Sequence, residues 1–218
     1  MGKKPSDLWA YLLAGGFGLL VWVLLRGDSS EGEPAPSPED VPDPPAPPPA
    51  PASVDPDTVE APGTIYKPGS PKQVALFKKA AAVAGLPEAW ASDSDFQQLL
   101  GKESGGKVGL PNYKWAKYLG TTAGTMWATP SMWAQVWQVI RDGNAKPSYT
   151  GIGSHAAGLG QLQPSAMVKF QPNGLQGVGI PLEEAVGMLR YIDDRYSTPA
   201  AAWSFWQAKK AATGTGWY

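Results

Sequence analysis

The stretch Ser94-Asp95-Phe96-Gln97-Gln98-Leu99-Leu100-Gly101-Lys102-Glu103-Ser104-Gly105-Gly106 decides how this chain is read. Phe96, Leu99, Leu100 and Glu103 fall at i, i+3, i+4 and i+7, the spacing that lines side chains along one face of an α-helix. A helix beginning near Ser92 or Ser94 therefore runs to Glu103 and stops at Gly105-Gly106, and its core-facing stripe ends on a carboxylate. A charge in that position needs either a cation beside it or a place at the edge of a cleft. In the second case burial raises the carboxyl pKa, as a general acid working near neutral pH requires. Glutamates also end helices without any chemical duty, so the spacing alone leaves both readings open.

Outward from this segment the helical signals continue. Ser70 as N-cap, Pro71 at the first helical position, then Val74, Phe77, Ala81 and Ala84 with Gly85 as the stop define a preceding helix. Pro130 followed by Trp133, Val136, Trp137 and Ile140 suggests another. Pro181 opens a helix carrying Leu182, Ala185, Met188, Leu189, Ile192 and Tyr196, and Pro199 to about Ala211 forms the last. Glycine-rich stretches at 150 to 160 and 173 to 180 leave room for loops or one small hairpin, and no strand of convincing length is present. The expected fold is mainly α, a single globular domain over 70–218.

The N-terminal third has a different composition. Leu8 to Leu25 is an uncharged apolar run of 18 residues, about 27 Å long as a helix at ~1.5 Å per residue, close to the thickness of a hydrocarbon core. Trp9, Tyr11 and Trp22 lie toward its ends, as interfacial aromatics do. Residues 1–26 are thus expected to be a retained transmembrane anchor, with the lipid bilayer as its partner. Lys3 and Lys4 before the run, and a lone Arg26 followed by acids after it, place the C-terminal domain outside the cytoplasm. Residues 27–69 read as a disordered linker: ten of the 18 residues from Pro34 to Pro51 are proline, and nine acids with no Lys or Arg lie between Asp28 and Glu60. Such a segment lacks the apolar side chains for a core and stays extended. From Lys67 onward fifteen basic residues face nine acidic ones, a mild attraction to polyanions.

The composition also excludes chemistries. There is no cysteine and one histidine, His155, so thiolate catalysis and a multi-histidine zinc site lack their ligands. A Ser-His triad needs one histidine only, but no Gly-x-Ser-x-Gly elbow occurs. His155, in a Gly/Ser-rich loop, reads as structural or solvated. No metal and no cofactor is expected.

Glu103-Ser104-Gly105-Gly106 is followed by Ser154-His155-Ala156-Ala157-Gly158-Leu159-Gly160-Gln161-Leu162-Gln163-Pro164. Later come Gly187-Met188-Leu189-Arg190-Tyr191-Ile192 and Pro199-Ala200-Ala201-Ala202-Trp203-Ser204-Phe205-Trp206. Together these resemble the ordered motifs of the soluble lytic transglycosylase and goose-type lysozyme group, in the version carried by phage and related mobile elements. The resemblance covers about Val74 to Tyr218. It implies a lysozyme-like α+β fold with Glu103 as the single catalytic acid and base, and peptidoglycan glycan strands as the substrate. It places Ser104, Ser154, Gly158, Gly160, Gln161, Gln163 and Tyr191 around the bound sugar. Gly158 and Gly160 would let backbone approach the substrate and Gln161 would hydrogen-bond it. Ser104 and Tyr191 would line or support the cleft.

Two departures stand out. More than 50 residues separate Glu103 from the Gly158 motif, longer than in the compact members of the group. Ser204-Phe205-Trp206 also stands where those members carry Ala-Tyr-Asn. Independently of the resemblance, Glu184, Gly187 and Tyr191 share one helix face, and Glu183, Glu184 and Asp142 are the available second acids. A lone carboxylate implies a lytic transglycosylase that leaves 1,6-anhydroMurNAc ends, whereas a paired one implies a muramidase. The rival of another class is a non-catalytic peptidoglycan-binding protein of an envelope or virion complex, with other proteins of that complex as partners. No specific nucleic acid is expected.

Overall fold

The computed structural model describes residues 55–144 and 154–213. The apolar run at 8–25, the proline-rich stretch and the terminal Trp217-Tyr218 lie outside the described residues. Among those described, no helix is long and apolar enough to cross a membrane. The domain is mainly helical. Its helices are α1 (Pro71–Ala84), α2 (Ser94–Glu103), α3 (Trp115–Tyr118), α4 (Ala123–Ala128), α5 (Pro130–Arg141), α6 (Pro164–Phe170), α7 (Pro181–Tyr196) and α8 (Pro199–Thr213). The extended structure described consists of isolated bridges, Ile65 with Lys107, Pro111 with Ala157, and Ala157 with Leu162.

The helix ends follow from the local chemistry. Ser70 Oγ accepts the Gln73 N–H at 3.2 Å, satisfying one orphan donor of α1. Gly85 closes α1 in the left-handed region at φ 70°, a conformation that glycine adopts without steric cost. α2 begins at Ser94, one of the two expected starts, and its cap is Asp93, whose carboxylate accepts the N–H groups of Asp95 and Phe96 at 2.9 and 3.0 Å. Proline occupies the first turn of α1, α5, α6 and α7, where its missing N–H has no helical partner to lose.

Two apolar clusters hold these helices together. In the first, α1 packs along α7 and α2 along α8, burying Phe77, Phe96, Leu99, Leu100, Val186, Leu189 and Ile192. Phe77 and Phe96 meet edge to face with centroids 4.7 Å apart, the arrangement that ring quadrupoles favour. The second cluster gathers α3, α4 and α5 around Trp115, Trp133 and Trp137 with Met126, Ile140, Leu162 and Met167. Its tryptophans are core, as their helical spacing suggests. Trp133 donates to Met126 O at 2.8 Å and Trp137 to Gly109 O at 2.7 Å, so burial leaves those indole N–H groups satisfied.

Residues 55–69, placed in the linker by composition, pack onto the domain. Tyr66 is 1 % exposed and donates its hydroxyl to Asp57, while Lys79 on α1 pairs with both Asp55 and Asp57. Tyr66 N donates to Gly106 O at 2.7 Å, which ties this segment to the turn after Glu103. The packed part of the chain thus starts before residue 70. A composition average over 27–69 hides this, because the prolines at 34–51 dominate it.

Candidate functional site

Glu103 is the last residue of α2. Beyond it Ser104 N–H and Gly105 N–H both return to Leu100 O, and Gly105 and Gly106 take φ of 63° and 76°. A Cβ at Gly106 would stand 2.0 Å from Tyr66 O, so this position requires glycine. The turn fixes the direction of the Glu103 side chain. Its Oε1 is sealed from solvent without a hydrogen-bond partner, while the residue as a whole stays partly exposed. Burial pushes its pKa up to about 8, and the Trp206 indole beside it draws the value down, although neither Oε1 nor Trp206 Nε1 completes a hydrogen bond. The negative end of the α2 dipole acts in the same direction as burial. At neutral pH the group is predominantly a protonated acid in a cleft wall, the state a general acid needs.

Two cavities share Glu103 in their linings. The smaller, of about 110 Å³, is lined by Glu103, Asn112, Ser154, Ala156, Gly160, Gln161, Leu162, Gln163, Ala166 and Tyr191. The larger, of about 460 Å³, shares Glu103, Asn112, Ser154 and Gln161 and extends over Lys102, Tyr113, Lys114 and Trp127. The larger lobe alone falls within the size range of small-ligand sites. The carboxyl thus lines both lobes.

The motif residues divide into those facing this cleft and those supporting it. Ser154, Gly160, Gln161, Gln163 and Tyr191 join Glu103 at the lining. Ser104 and Gly158 do not. Ser104 is 5 % exposed and its Oγ accepts the Gly106 N–H at 3.1 Å, which makes it part of the turn. Gly158, expected to let backbone approach the sugar, has φ +82°, and a Cβ there would stand 2.6 Å from Glu184 Cδ. The close neighbour is a buried carboxylate. Gly160 lines the cleft and also packs against Met188, 2.9 Å from where its Cβ would be. Gly187, on the shared helix face, admits the Gln171 side chain.

Gln161 sits at φ 46°, costly for a non-glycine residue and a feature that clusters at functional sites. Its amide nitrogen donates to Leu110 O at 2.8 Å and to Gly158 O at 3.1 Å. Both donors serve the turn, and its carbonyl accepts from Asn112 Nδ2 at 3.5 Å. Gln163 donates to Ser154 Oγ at 2.9 Å and accepts the His155 N–H at 3.2 Å, closing the motif loop on itself. His155 is buried, edge-on to Trp115 with centroids 5.3 Å apart, and burial lowers its pKa. It is a core residue. The Tyr191 hydroxyl accepts from Arg195 Nη1 at 2.7 Å, and its ring packs edge-on against Phe170 and Tyr196.

The second-acid candidates all lie elsewhere. Asp142 is exposed at the end of α5 and accepts from Gln138 at 2.7 Å. Glu183 accepts two hydrogen bonds from Asn173 at 2.8 Å. Glu184 is 1 % exposed: its Oε2 accepts Gly109 N–H at 3.0 Å and Leu159 N–H at 2.9 Å, and its Oε1 accepts Gly179 N–H at 2.6 Å. Burial pushes its pKa up to about 7, while the three N–H groups and the Arg141 charge pull the other way. This carboxylate joins three loops and lines neither lobe. Glu103 is the single acid at the cleft among the described residues, and residues 145–153 contain no Asp or Glu.

Three contributors carry no site role in the sequence reading, although Trp206 stands in the last of the motifs. Asn112 reaches the cleft from the segment between Glu103 and α3, placed by its N–H to Ala156 O at 3.0 Å. Trp206 stands beside Glu103 from α8, and Tyr196 is near enough for the Glu103 charge to bear on its phenol. Their places beside Glu103 depend on tertiary packing. No family model matches the chain, and neither a curated protein nor a solved structure matches it.

The Gly158 contact yields a direct expectation. Gly158→Ala adds a methyl at positive φ against the Glu184 carboxyl, combining backbone strain with overpacking of roughly 2–4 kcal/mol. The melting temperature should fall by about 5–12 °C, measured by circular dichroism.

Proposed function

We propose that this protein is a membrane-anchored peptidoglycan lytic transglycosylase that cuts the bond between MurNAc and GlcNAc and leaves 1,6-anhydroMurNAc ends. The observation that carries the reading is a largely buried carboxyl, Glu103, that lines both lobes of the cleft with no second acid on its walls among the described residues. Glycoside hydrolysis through a water or a covalent intermediate uses two carboxyl groups about 5 to 9.5 Å apart. One carboxyl suffices when the substrate supplies the rest. Protonated Glu103 would donate to the glycosidic oxygen as the bond breaks, and the neighbouring N-acetyl group would stabilise the developing cation. The glutamate, now ionised, would take the proton of the C6 hydroxyl as that oxygen closes on C1. Its proton is thereby restored, and no water is consumed.

A phage or mobile element opening the wall locally fits an apolar anchor at 8–25 and a linker that spaces the domain from a bilayer. The domain then acts on the cell-wall side, either in a bacterial membrane or in a membrane-associated virion. Muramidase activity is the nearest alternative, and non-catalytic binding within an envelope or virion complex is the reading of another class. The full chain, purified in detergent and incubated with isolated sacculi, separates the three by mass spectrometry of the released fragments. Anhydro ends are expected. Reducing ends would establish a hydrolase instead, and binding without release would establish the non-catalytic role.

A further inference from the structure

The two lobes lined by Glu103 differ in charge. The smaller is lined by neutral groups besides Glu103 itself, chiefly Asn112, Ser154, Gln161, Gln163 and Tyr191. The larger carries two ammonium groups, Lys102 and Lys114, and two aromatic side chains, Tyr113 and Trp127. Neither lysine forms an ion pair among the described residues, whose salt bridges involve Lys79, Arg141 and Lys169. Lys102 lies 5.9 Å from the Trp206 ring centroid and Lys114 the same distance from that of Tyr113, at the outer limit of a cation–π contact. Both charges remain available to a ligand.

The aromatic faces are held in place yet open. Trp127 is 39 % exposed and Tyr113 54 % exposed, unusual for large rings on a cleft wall. The Trp127 indole donates to Pro111 O at 3.0 Å, and Asn112 Oδ1 accepts the Lys114 N–H at 3.2 Å. The wall is therefore preorganised, which lowers the cost of binding. Tyr113, Lys114 and Trp127 come from the segment between Glu103 and the Gly158 motif, and Lys102 from α2.

We propose that this lobe is a subsite for acidic substituents on a glycan strand, with Trp127 and Tyr113 stacking on sugar or peptide and Lys102 and Lys114 pairing with carboxylates. The ligand class is an N-acetylated glycan carrying carboxylates and peptide stems, as opposed to a neutral glycan of the same backbone. The inference rests on the lytic transglycosylase reading and deepens it, because it assigns the feature that separates peptidoglycan from chitin-like polymers.

The test uses the full-length Glu103→Gln chain, so that ligands are not consumed, and follows binding by tryptophan fluorescence. Three tetrasaccharide probes are compared: neutral chitotetraose, a peptide-free peptidoglycan tetrasaccharide bearing lactyl carboxylates, and the same tetrasaccharide with peptide stems. Affinity should rise in that order at low salt, and the difference should shrink in 0.5 M salt, as expected for exposed charges. Adding Lys102→Gln and Lys114→Gln should weaken the stem-bearing probe about 5- to 10-fold while changing chitotetraose little. Trp127→Ala should weaken all three. Equal affinity for the three probes, or an unchanged preference in the double lysine variant, would overturn the proposal even where the wild-type chain cuts sacculi. A charge-dependent preference in a chain that releases no fragments would uphold the subsite and sink the enzymatic reading.

Discussion

Glu103→Gln is expected to lower the rate of glycan release from sacculi by roughly 1,000-fold or more, within or above the range ascribed to a positioned acid or base, while the fold persists. The amide occupies nearly the same volume, but it neither donates a proton to the leaving oxygen nor accepts one from the C6 hydroxyl. Both halves of the cycle fail together. In the wild type, activity should decline as pH rises through about 8, where the acid form of Glu103 is lost. Stability should fall earlier, between about pH 4.5 and 8. The folded pKa of Glu103 lies above its ordinary value of 4.5, so the folded state holds the proton more tightly than the unfolded chain does. The stabilisation linked to that proton is complete below about 4.5 and is lost as pH rises through about 8. Glu103→Gln cannot ionise, so relative to the wild type it should gain stability at pH 9 compared with pH 4, on the order of a few kcal/mol. Thermal melts of both proteins at the two pH values measure this difference. A parallel response to pH in the two would mean that the carboxyl is not desolvated, and an unchanged rate would remove it from the chemistry.

Glu184→Ala is expected to do more damage to the fold than any other single truncation of a charged residue. It leaves the buried N–H groups of Gly109, Leu159 and Gly179 without their acceptor and opens a cavity beside Gly158. Each orphaned donor costs about 1–3 kcal/mol, so a loss of roughly 4 kcal/mol or more follows, a large fraction of a domain's total stability. The melting temperature should drop by about 10 °C or more, and hydrogen exchange should accelerate at Leu159 and Gly179 before it does in α1. Glu184→Gln keeps the volume and one acceptor oxygen but turns an N–H donor toward backbone N–H groups. It should recover only part of the loss. Were Glu184 a second catalytic acid, the glutamine variant would melt like the wild type and lose activity alone.

These two glutamates mark how far the sequence can be read. Glu103 was legible because it stands on the stripe of Phe96, Leu99 and Leu100 and is followed by two glycines, so a local pattern carried the information. The helices opened by Pro71, Pro130, Pro181 and Pro199 were legible for the same reason, since proline at a first turn is a local signal. Glu184 shows the same helical periodicity beside its core stripe, yet its partners lie 75, 25 and 5 residues away. Only the folded chain reveals that it joins loops. Helices α3 and α4, of four and six residues, are too short for a period to register. Gln161 lines the cleft beside Glu103, but its amide donors went to Leu110 and Gly158, a choice set by the left-handed turn. Asn112 reaches the cleft through its bond to the motif loop, and Trp206 comes to stand beside Glu103 only when α8 packs along α2.

The attachment of residues 55–66 has a mechanical meaning. A pull applied to the chain before Asp55 meets the contacts of this segment in series: first the pairs of Asp55 and Asp57 with Lys79, then Ala61 N to Gly179 O, then Tyr66 N to Gly106 O. The exposed Asp55–Lys79 pair takes the strain first and re-forms readily when it is released, whereas Asp57 is buried and also held by the Tyr66 hydroxyl. The hydrogen bond beside the Glu103 turn is loaded last. A domain held to a moving surface by its N-terminal side could thus be tugged without distorting the turn that aims its carboxyl.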